Sequence, residues 1–306
     1  GTLLWKRAIP VWNDHLRHFR SGPANLPRRL VAVGDEVYVT LGLAGPVVAL
    51  DAASGKTIRQ YDGTERTEEI IAAGGVLYLV AGTSEADRRG GGLYQRGEPE
   101  PARFRRVMAL DAASGRQLWM KDYTQENILP LSLAVRGPKV FLQTLQRVVA
   151  LDAAGGKEAW SAPRKSMARR MGFDAPTMVA ADGVVLLADR DPGGGDAAAA
   201  SDGQLQWGVN GWNESGFARL GSATLRAYSA DDGKELWSAA CSEGYNSPVD
   251  LFVIDGVVWV GNKFVGLDLK TGKPVKQMDA SAPRVGMPHH RCYRDKASER
   301  FIFTGR

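Results

Sequence analysis

The chain has 306 residues, 44% of them hydrophobic, 24% charged and 8% aromatic, ample apolar material for a buried core and too much for an intrinsically disordered chain. Thirty-six glycines, many beside Asp, Ala or Ser, call for numerous tight turns and argue against an all-helical bundle. The net charge of +5 is mild and spread along the sequence, which predicts no nucleic-acid partner, and the longest mostly apolar stretch, Ile70 to Ala81 with Gly74 and Gly75 inside it, is far shorter than the roughly 20 residues of a transmembrane helix.

In chain order, the first element is Gly1-Thr2-Leu3-Leu4-Trp5, a glycine followed four residues later by a tryptophan. Asn13 or Asp14 then caps a helical turn that sets His15 and His18 three apart on one face, the spacing of a two-ligand metal site. The simpler reading is a capped turn that leads through the Pro-rich segment Pro23 to Arg29 into the first strand. Arg17, Arg20, Arg28 and Arg29 would grip a carboxylate, sulfate or phosphate if they face a ligand channel, and otherwise pair with local acids.

From Val31 onward two signals alternate. The first is strand, glycine turn, strand: VAVGDEVYVTLG at Val31, AAGGVLYLVAG at Ala72, AVRGPKVFLQTL at Ala134, AADGVVLLAD at Ala180 and VIDGVVWVGNK at Val253. The second has the frame Ala-x-Asp-x-x-x-Gly-x-x-x-Trp, complete at Ala109, Asp111, Gly115 and Trp119 and again at Ala150, Asp152, Gly156 and Trp160. Further copies start at Val47, Thr224 and Phe264, with Ser229 in place of the Asp in the fourth copy and Arg59 and Lys276 in place of the Trp in the first and fifth. Each position has a physical reason. The residues before the Asp are apolar and β-prone; the Asp accepts backbone N–H groups of the turn, and the Gly supplies a positive φ. The Trp falls on the following strand, where it can pack between neighbouring sheets.

Together the two signals give four strands per unit, the content of one propeller blade. Counted at Lys56, Arg116, Lys157, Lys234 and Lys273, the units are spaced by 60, 41, 77 and 39 residues, so the shorter spacings match a bare blade of roughly 40 residues. The longer ones carry insertions at 83–106 and 189–223, read as surface loops, although the second would also accommodate a degenerate blade. Gly1 to Trp5 reads as the tail of a unit and Arg300 to Thr304 as the first strand of another. The expectation is an all-β propeller in one domain, 1–306, with about five full blades and part-blades at both ends. Either the ends share a closing blade, or, as we favour, the chain is a fragment of a larger propeller.

Two later segments carry most of the candidate chemistry. Cys241 to Asp250 joins the fourth unit to the fifth and offers Tyr245, Asn246, Ser247 and Asp250 as donors, acceptors and a charge; the simpler reading is a turn at Asn246-Ser247-Pro248 with Asp250 capping amides. Met287 to Arg294 holds His289, His290, Arg291, Cys292 and Tyr293. His289, His290 and Cys292 are ligand types for zinc or copper, but adjacent strand residues point to opposite faces, so only His290 and Cys292 would share one. The alternatives are imidazoles bonded to neighbouring loops with a small buried cysteine, or a catalytic acid or base. Both segments follow a hairpin and precede a strand, which puts them at one channel mouth. Cys241 and Cys292 occupy equivalent places in successive units, an arrangement that export would allow to be a disulfide. There is no phosphate-binding G-x-x-x-x-G-K-[ST], no strand-linked G-x-G-x-x-G and no G-x-S-x-G nucleophile elbow.

The repeated frame resembles that of pyrroloquinoline quinone (PQQ) type β-propellers, a group that includes quinoprotein dehydrogenases and a non-enzymatic outer-membrane assembly scaffold lipoprotein. More narrowly, FRSGPANLPRRLVAVGD, CSEGYNSPVDLFVIDGVVWVG and GMPHHRCYRDKASERF resemble a PQQ-repeat propeller group common in planctomycete-type bacteria. The resemblance implies seven or eight blades and an exported, periplasmic bacterial protein. In the dehydrogenases it implies PQQ and calcium in the central channel, beneath a disulfide of adjacent cysteines; with only Cys241 and Cys292 present, no adjacent pair exists here. The leading expectation is a binding scaffold with a ligand or protein partner at the channel mouth, using Tyr245, Asn246, Ser247, Asp250, Arg291, Tyr293 and Arg28. The alternative is an enzyme, either metal-dependent through His289, His290 and Cys292, or a PQQ-dependent oxidoreductase.

Overall fold

The computed structural model describes residues 1–9, 28–42, 45–82, 105–123, 125–126, 128–129, 132–165, 177–190, 222–242, 251–260, 265–277, 296–297 and 302–303. Among them the fold is all-β: five four-stranded antiparallel sheets, each a meander in chain order like a propeller blade. The first sheet holds β1 (Leu30–Val33), β2 (Glu36–Thr40), β3 (Val47–Asp51) and β4 (Thr57–Tyr61), and the second β5 (Thr67–Ala73), β6 (Val76–Gly82), β7 (Arg105–Asp111) and β8 (Gln117–Tyr123). The third holds β9 (Ala134–Arg136), β10 (Lys139–Gln143), β11 (Arg147–Asp152) and β12 (Glu158–Pro163), the fourth β13 (Thr177–Ala181), β14 (Val184–Arg190), β15 (Ser222–Ser229) and β16 (Glu235–Ser242), and the fifth β17 (Leu251–Ile254), β18 (Val257–Val260), β19 (Val265–Asp268) and β20 (Pro274–Gln277). A two-stranded ribbon of β21 (Lys296–Ala297) and β22 (Ile302–Phe303) follows. Ile302–Phe303, expected within the first strand of a further unit, pairs antiparallel with Lys296–Ala297.

By Cα proximity the chain forms two compact units, Gly1–Tyr94 with Pro101–Leu145 and Leu151–Ala159, and Gln95–Glu100 with Gln146–Ala150 and Trp160–Arg306. In the first, a core of Tyr38, Val47, Ala49, Tyr61, Ile70, Leu77, Leu79, Met108 and Leu110 fills the space between the first and second sheets. In the second, Val184, Leu186, Leu225, Ala227, Leu251, Val258 and Leu267 do the same between the fourth and fifth. These are the inward positions of alternating strands, and their burial supplies the main drive for stacking sheet on sheet.

One end of each sheet is made by the repeat. In the second sheet Asp111 Oδ1 accepts from Ser114 N at 2.7 Å and Ser114 Oγ at 2.6 Å, while Gly115 N donates to Asp111 O at 2.8 Å. Ser114 and Asp111 therefore close the turn with side chain and backbone together. Asp51 and Asp268 repeat the pattern with Ser54 and Thr271, and Ser229 Oγ takes over the role more weakly, at 3.2 and 3.4 Å from the amides of Asp231 and Asp232. The residue after the Asp donates its amide to the first turn of its own sheet, as Ala112 N does to Gly75 O at 2.9 Å.

The carbonyl of that same residue receives an indole from the element ahead of it in the chain. Trp119 Nε1 donates to Ala153 O at 2.8 Å, Trp160 to Ala230 O at 2.9 Å, Trp237 to Leu269 O at 3.0 Å, and Trp5 to Ala52 O at 2.9 Å. Each ring lies flat on the turn glycine: a Cβ built on Gly156 would stand 2.6 Å from Trp119, and one on Gly233 2.5 Å from Trp160. Only glycine admits that approach, independently of φ. Where the first copy lacks the Trp, Arg59 Nη1 donates to Ala112 O at 3.0 Å, joined by Tyr61 Oη at 2.6 Å. The arginine that breaks the sequence pattern keeps the bond.

Candidate functional site

Because each sheet is an antiparallel meander, the start of its first strand, the end of its second, the start of its third and the end of its fourth share one end, opposite the Asp–Gly turns. We call this the loop end. The connections between sheets leave from it, and so do the links from Gly82 to Arg105 and from Arg190 to Ser222. All eleven buried polar or charged residues among those described, Glu69, Arg105, Gln143, Arg164 and Asp189 included, lie at the loop ends of their sheets or in the connections there. Buried polar groups are costly unless bonded, so their confinement to one end marks where the chain spends stability on something other than the repeat.

Three arginine–carboxylate pairs lie at loop ends, two in the first compact unit and one in the second. Glu69, near the start of β5, is 1% exposed; Arg28 Nη2 donates to its Oε1 and to Leu133 O at 2.8 Å, and Leu133 N donates to both carboxylate oxygens at 3.3 and 3.4 Å. Burial pushes the Glu69 carboxyl above its usual range, opposed by Arg28 and the Leu133 amide. Beside it Arg105, opening β7, sends Nε and Nη2 to Glu68 Oε2 at 3.0 Å each and Nη1 to the carbonyl of Ile128. The third pair, Arg164 with Asp189 at the end of β14, has Nε and Nη2 at 2.8 and 2.5 Å from Oδ2, with side chains 1% and 4% exposed.

The connection from the second sheet to the third is folded onto β10. Leu129 N donates to Gln143 O at 2.8 Å, Ile128 pairs with Thr144, and Ser132 Oγ donates to Leu129 O at 2.7 Å while accepting from Gln143 N at 3.2 Å. The carboxamide of Gln143 is fully buried, with neither its oxygen nor its nitrogen bonded to a protein atom among the described residues.

Of the residues singled out in the sequence, Arg28 is described, and it is a partner of buried Glu69. Tyr245, Asn246, Ser247, Asp250, His289, His290, Arg291, Cys292, Tyr293, His15 and His18 lie outside the described residues. Tyr245 to Asp250 belong to the link between Ser242 and Leu251, a connection that springs from a loop end. Cys241 is buried in β16 within the apolar core. The sequence reading missed Glu69, Arg105, Arg164 and Asp189; the one signal was the pair Glu68-Glu69 set into an otherwise β-prone, apolar first strand.

A family model described as outer membrane protein assembly factor BamB matches residues 80–211, a span that contains both complete copies of the repeat. A comparison of this chain with curated proteins finds no match. Among solved structures, a quinohemoprotein alcohol dehydrogenase from Pseudomonas putida is 16% identical, with 83% of this chain and 42% of that one covered and a TM-score of 0.45. The corresponding enzyme from Comamonas testosteroni is 17% identical over 83% and 43%, with a TM-score of 0.48. BamB from Moraxella catarrhalis is 14% identical over 79% and 57%, with a TM-score of 0.43. The chain therefore spans 42% to 57% of the length of these structures.

PQQ with calcium would need carboxylates and amides open to a cation. Among the described residues the carboxylates paired at the loop ends do not fit that requirement: Glu69, Glu68 and Asp189 each already hold an arginine. No group of three or more metal-ligating side chains occurs among the described residues, and no helix among them is long and apolar enough to cross a membrane.

Proposed function

We propose that this PQQ-type propeller is an exported, periplasmic binding scaffold whose ligand or partner protein docks at the loop ends of its sheets. The observation that carries the reading is the confinement of the buried polar residues to that end. Three ion pairs there fix the strand ends and connections from within, and rigid sheets with fixed loop bases are the means by which a propeller holds recognition loops in place. Tyr245, Asn246, Ser247, Asp250, Arg291 and Tyr293 are the recognition residues, and Arg28 stands at the base of the same kind of end. A metal site of His289, His290 and Cys292, or a separate one of His15 and His18, is the second reading and rests on residue type; metal per chain in protein purified without a tag tests it.

The scaffold reading is tested by placing a photo-crosslinking amino acid at Gln125, exposed at the loop end, or at Ala53, exposed on an Asp–Gly turn. Discrete crosslinked species from position 125 alone are expected in cells of the source bacterium. The same species from both positions, or none from either, would overturn it.

A further inference from the structure

The fourth strand is an outer edge of every sheet, and among the described residues no strand pairs with its far side. Such an edge invites pairing with another chain unless it is short or carries charge or proline. Four of the five are guarded in that way: β4 is five residues long and holds Arg59, β8 holds Lys121 and Asp122, β12 ends on Pro163, and β20 is four residues long and opens on Pro274. The longest, β16 at eight residues, is uncharged and free of proline from Leu236 to Ser242. Leu236 is 48% exposed there, and Ser238 and Ala240 are exposed beyond it. The contrast with β12 is close, since both strands run Trp-Ser-Ala and then diverge, to Pro163 in one and Ala240 in the other. A proline within an edge strand stands where the N–H would face away from the sheet. At Ala240 that N–H is present and points outward.

We propose that β16 is a self-pairing edge through which two copies of the chain form a two-fold dimer, strand antiparallel to strand and centred on Ala239. Residues two apart on a strand aim their N–H and C=O groups the same way, so the outward groups of Ser238 and Ala240 must meet outward groups across the axis. That parity puts the axis on a residue rather than between two, and only Ala239 keeps every residue from Leu236 to Ser242 in register. It sets Leu236 against Ser242 of the second copy, Trp237 against Cys241 and Ser238 against Ala240, large against small at each end and with no like charges opposed. An isologous contact of this kind closes on itself and leaves no edge to propagate a fibre. The loop ends of the two fourth sheets then point in opposite directions. Dimerisation stands whether or not a ligand docks at the loop ends.

The test is sedimentation equilibrium of the full chain over a concentration series, in which the wild type should dimerise reversibly. Ala240→Pro gives β16 the residue that β12 already carries, and Ser238→Lys places a charge on the edge while keeping its amide. Each should fold as the wild type does by circular dichroism and weaken the dimer about tenfold or more, because every loss is counted twice across the axis; S238K decides should A240P not fold. Ala239→Cys sets the two substituted side chains opposite each other at about 4.5 Å between Cβ atoms, within reach of a disulfide. Oxidation should give a covalent dimer bridged at position 239 in both chains. Ser238→Cys lies opposite Ala240 rather than its own copy and should give none. A wild type that stays monomeric at every concentration overturns the proposal. So does a dimer that folded A240P and S238K leave as tight as before, or one that S238C bridges and A239C does not.

Discussion

Replacing Gly156 with alanine measures what the indole on the turn contributes. Gly156 has φ of +69° and Gly63 φ of +78°, so an alanine at either meets the left-handed penalty of about 1 kcal/mol. The two sites differ in what the new methyl encounters: nothing within 4 Å at Gly63, but the Trp119 ring at 2.6 Å at Gly156. Ordinary contact needs about 3.5–4 Å, so the ring must move by about 1 Å from a site where it is 7% exposed and bonded to Ala153 O at 2.8 Å. Losing that bond costs about 1 kcal/mol and loosening the buried ring about another 1–2. Gly156→Ala should therefore destabilise by about 3–4 kcal/mol and Gly63→Ala by about 1, read as a fall in urea midpoint at constant m-value. In the W119A background the excess cost of G156A should vanish, because the two residues act as one contact. Equal losses for G156A and G63A, or an excess that survives in W119A, would refute the reasoning.

Breaking the buried Arg164–Asp189 pair from one side, by Arg164→Met or Asp189→Leu, should cost about 3–5 kcal/mol each, while the double variant loses far less than the sum; additive losses in chemical denaturation would show that the pair acts independently. Gln143→Met removes a buried carboxamide that has no protein partner among the described residues and should raise the stability by about 1–3 kcal/mol, whereas a fall would reveal an ordered water on the amide. Ser54, Ser114 and Thr271 hold the carboxyls of Asp51, Asp111 and Asp268 below the usual range. Their stabilisation is present above the unfolded pKa and lost as the pH falls through the lower folded value, so the deficit of Asp111→Asn should be largest at neutral pH and shrink below about pH 4. Glu69, raised by burial, has the opposite sign. Relative to Glu69→Gln, the wild type should gain stability as the pH falls, measured by thermal melts across the acid range.

The fold was legible because the repeat is physical before it is statistical. An Asp that must accept turn amides, a Gly beneath a ring and a Trp four residues on mark the second hairpin of a sheet, and those residues predicted all five four-stranded sheets. Arg59 was read as decay of the pattern, because a planar donor that reaches a carbonyl 53 residues away has no local signature. The loop ends were legible in outline only. Arg28 was found by residue type, but its partner Glu69 is 41 positions distant, and Arg105, Arg164 and Asp189 sit in strands or connections where charge would ordinarily face water. Their pairing follows from which strand ends share one side of a meander, a property of topology that no window of sequence contains.

The bifunctional residue that follows each Asp has an evolutionary corollary. Its amide stays within its own sheet and its carbonyl receives the ring from the chain ahead, as at Ala153 and Ala230. A duplicated stretch that runs from one Trp to the next would therefore arrive with both plug and socket, ready to extend an array without redesign. Divergence is then free to collect at the opposite pole, where lengthening the link between Gly82 and Arg105 or between Arg190 and Ser222 disturbs no coupling between neighbours. Such a chain can acquire new recognition surfaces by growing loops while its counting mechanism stays untouched.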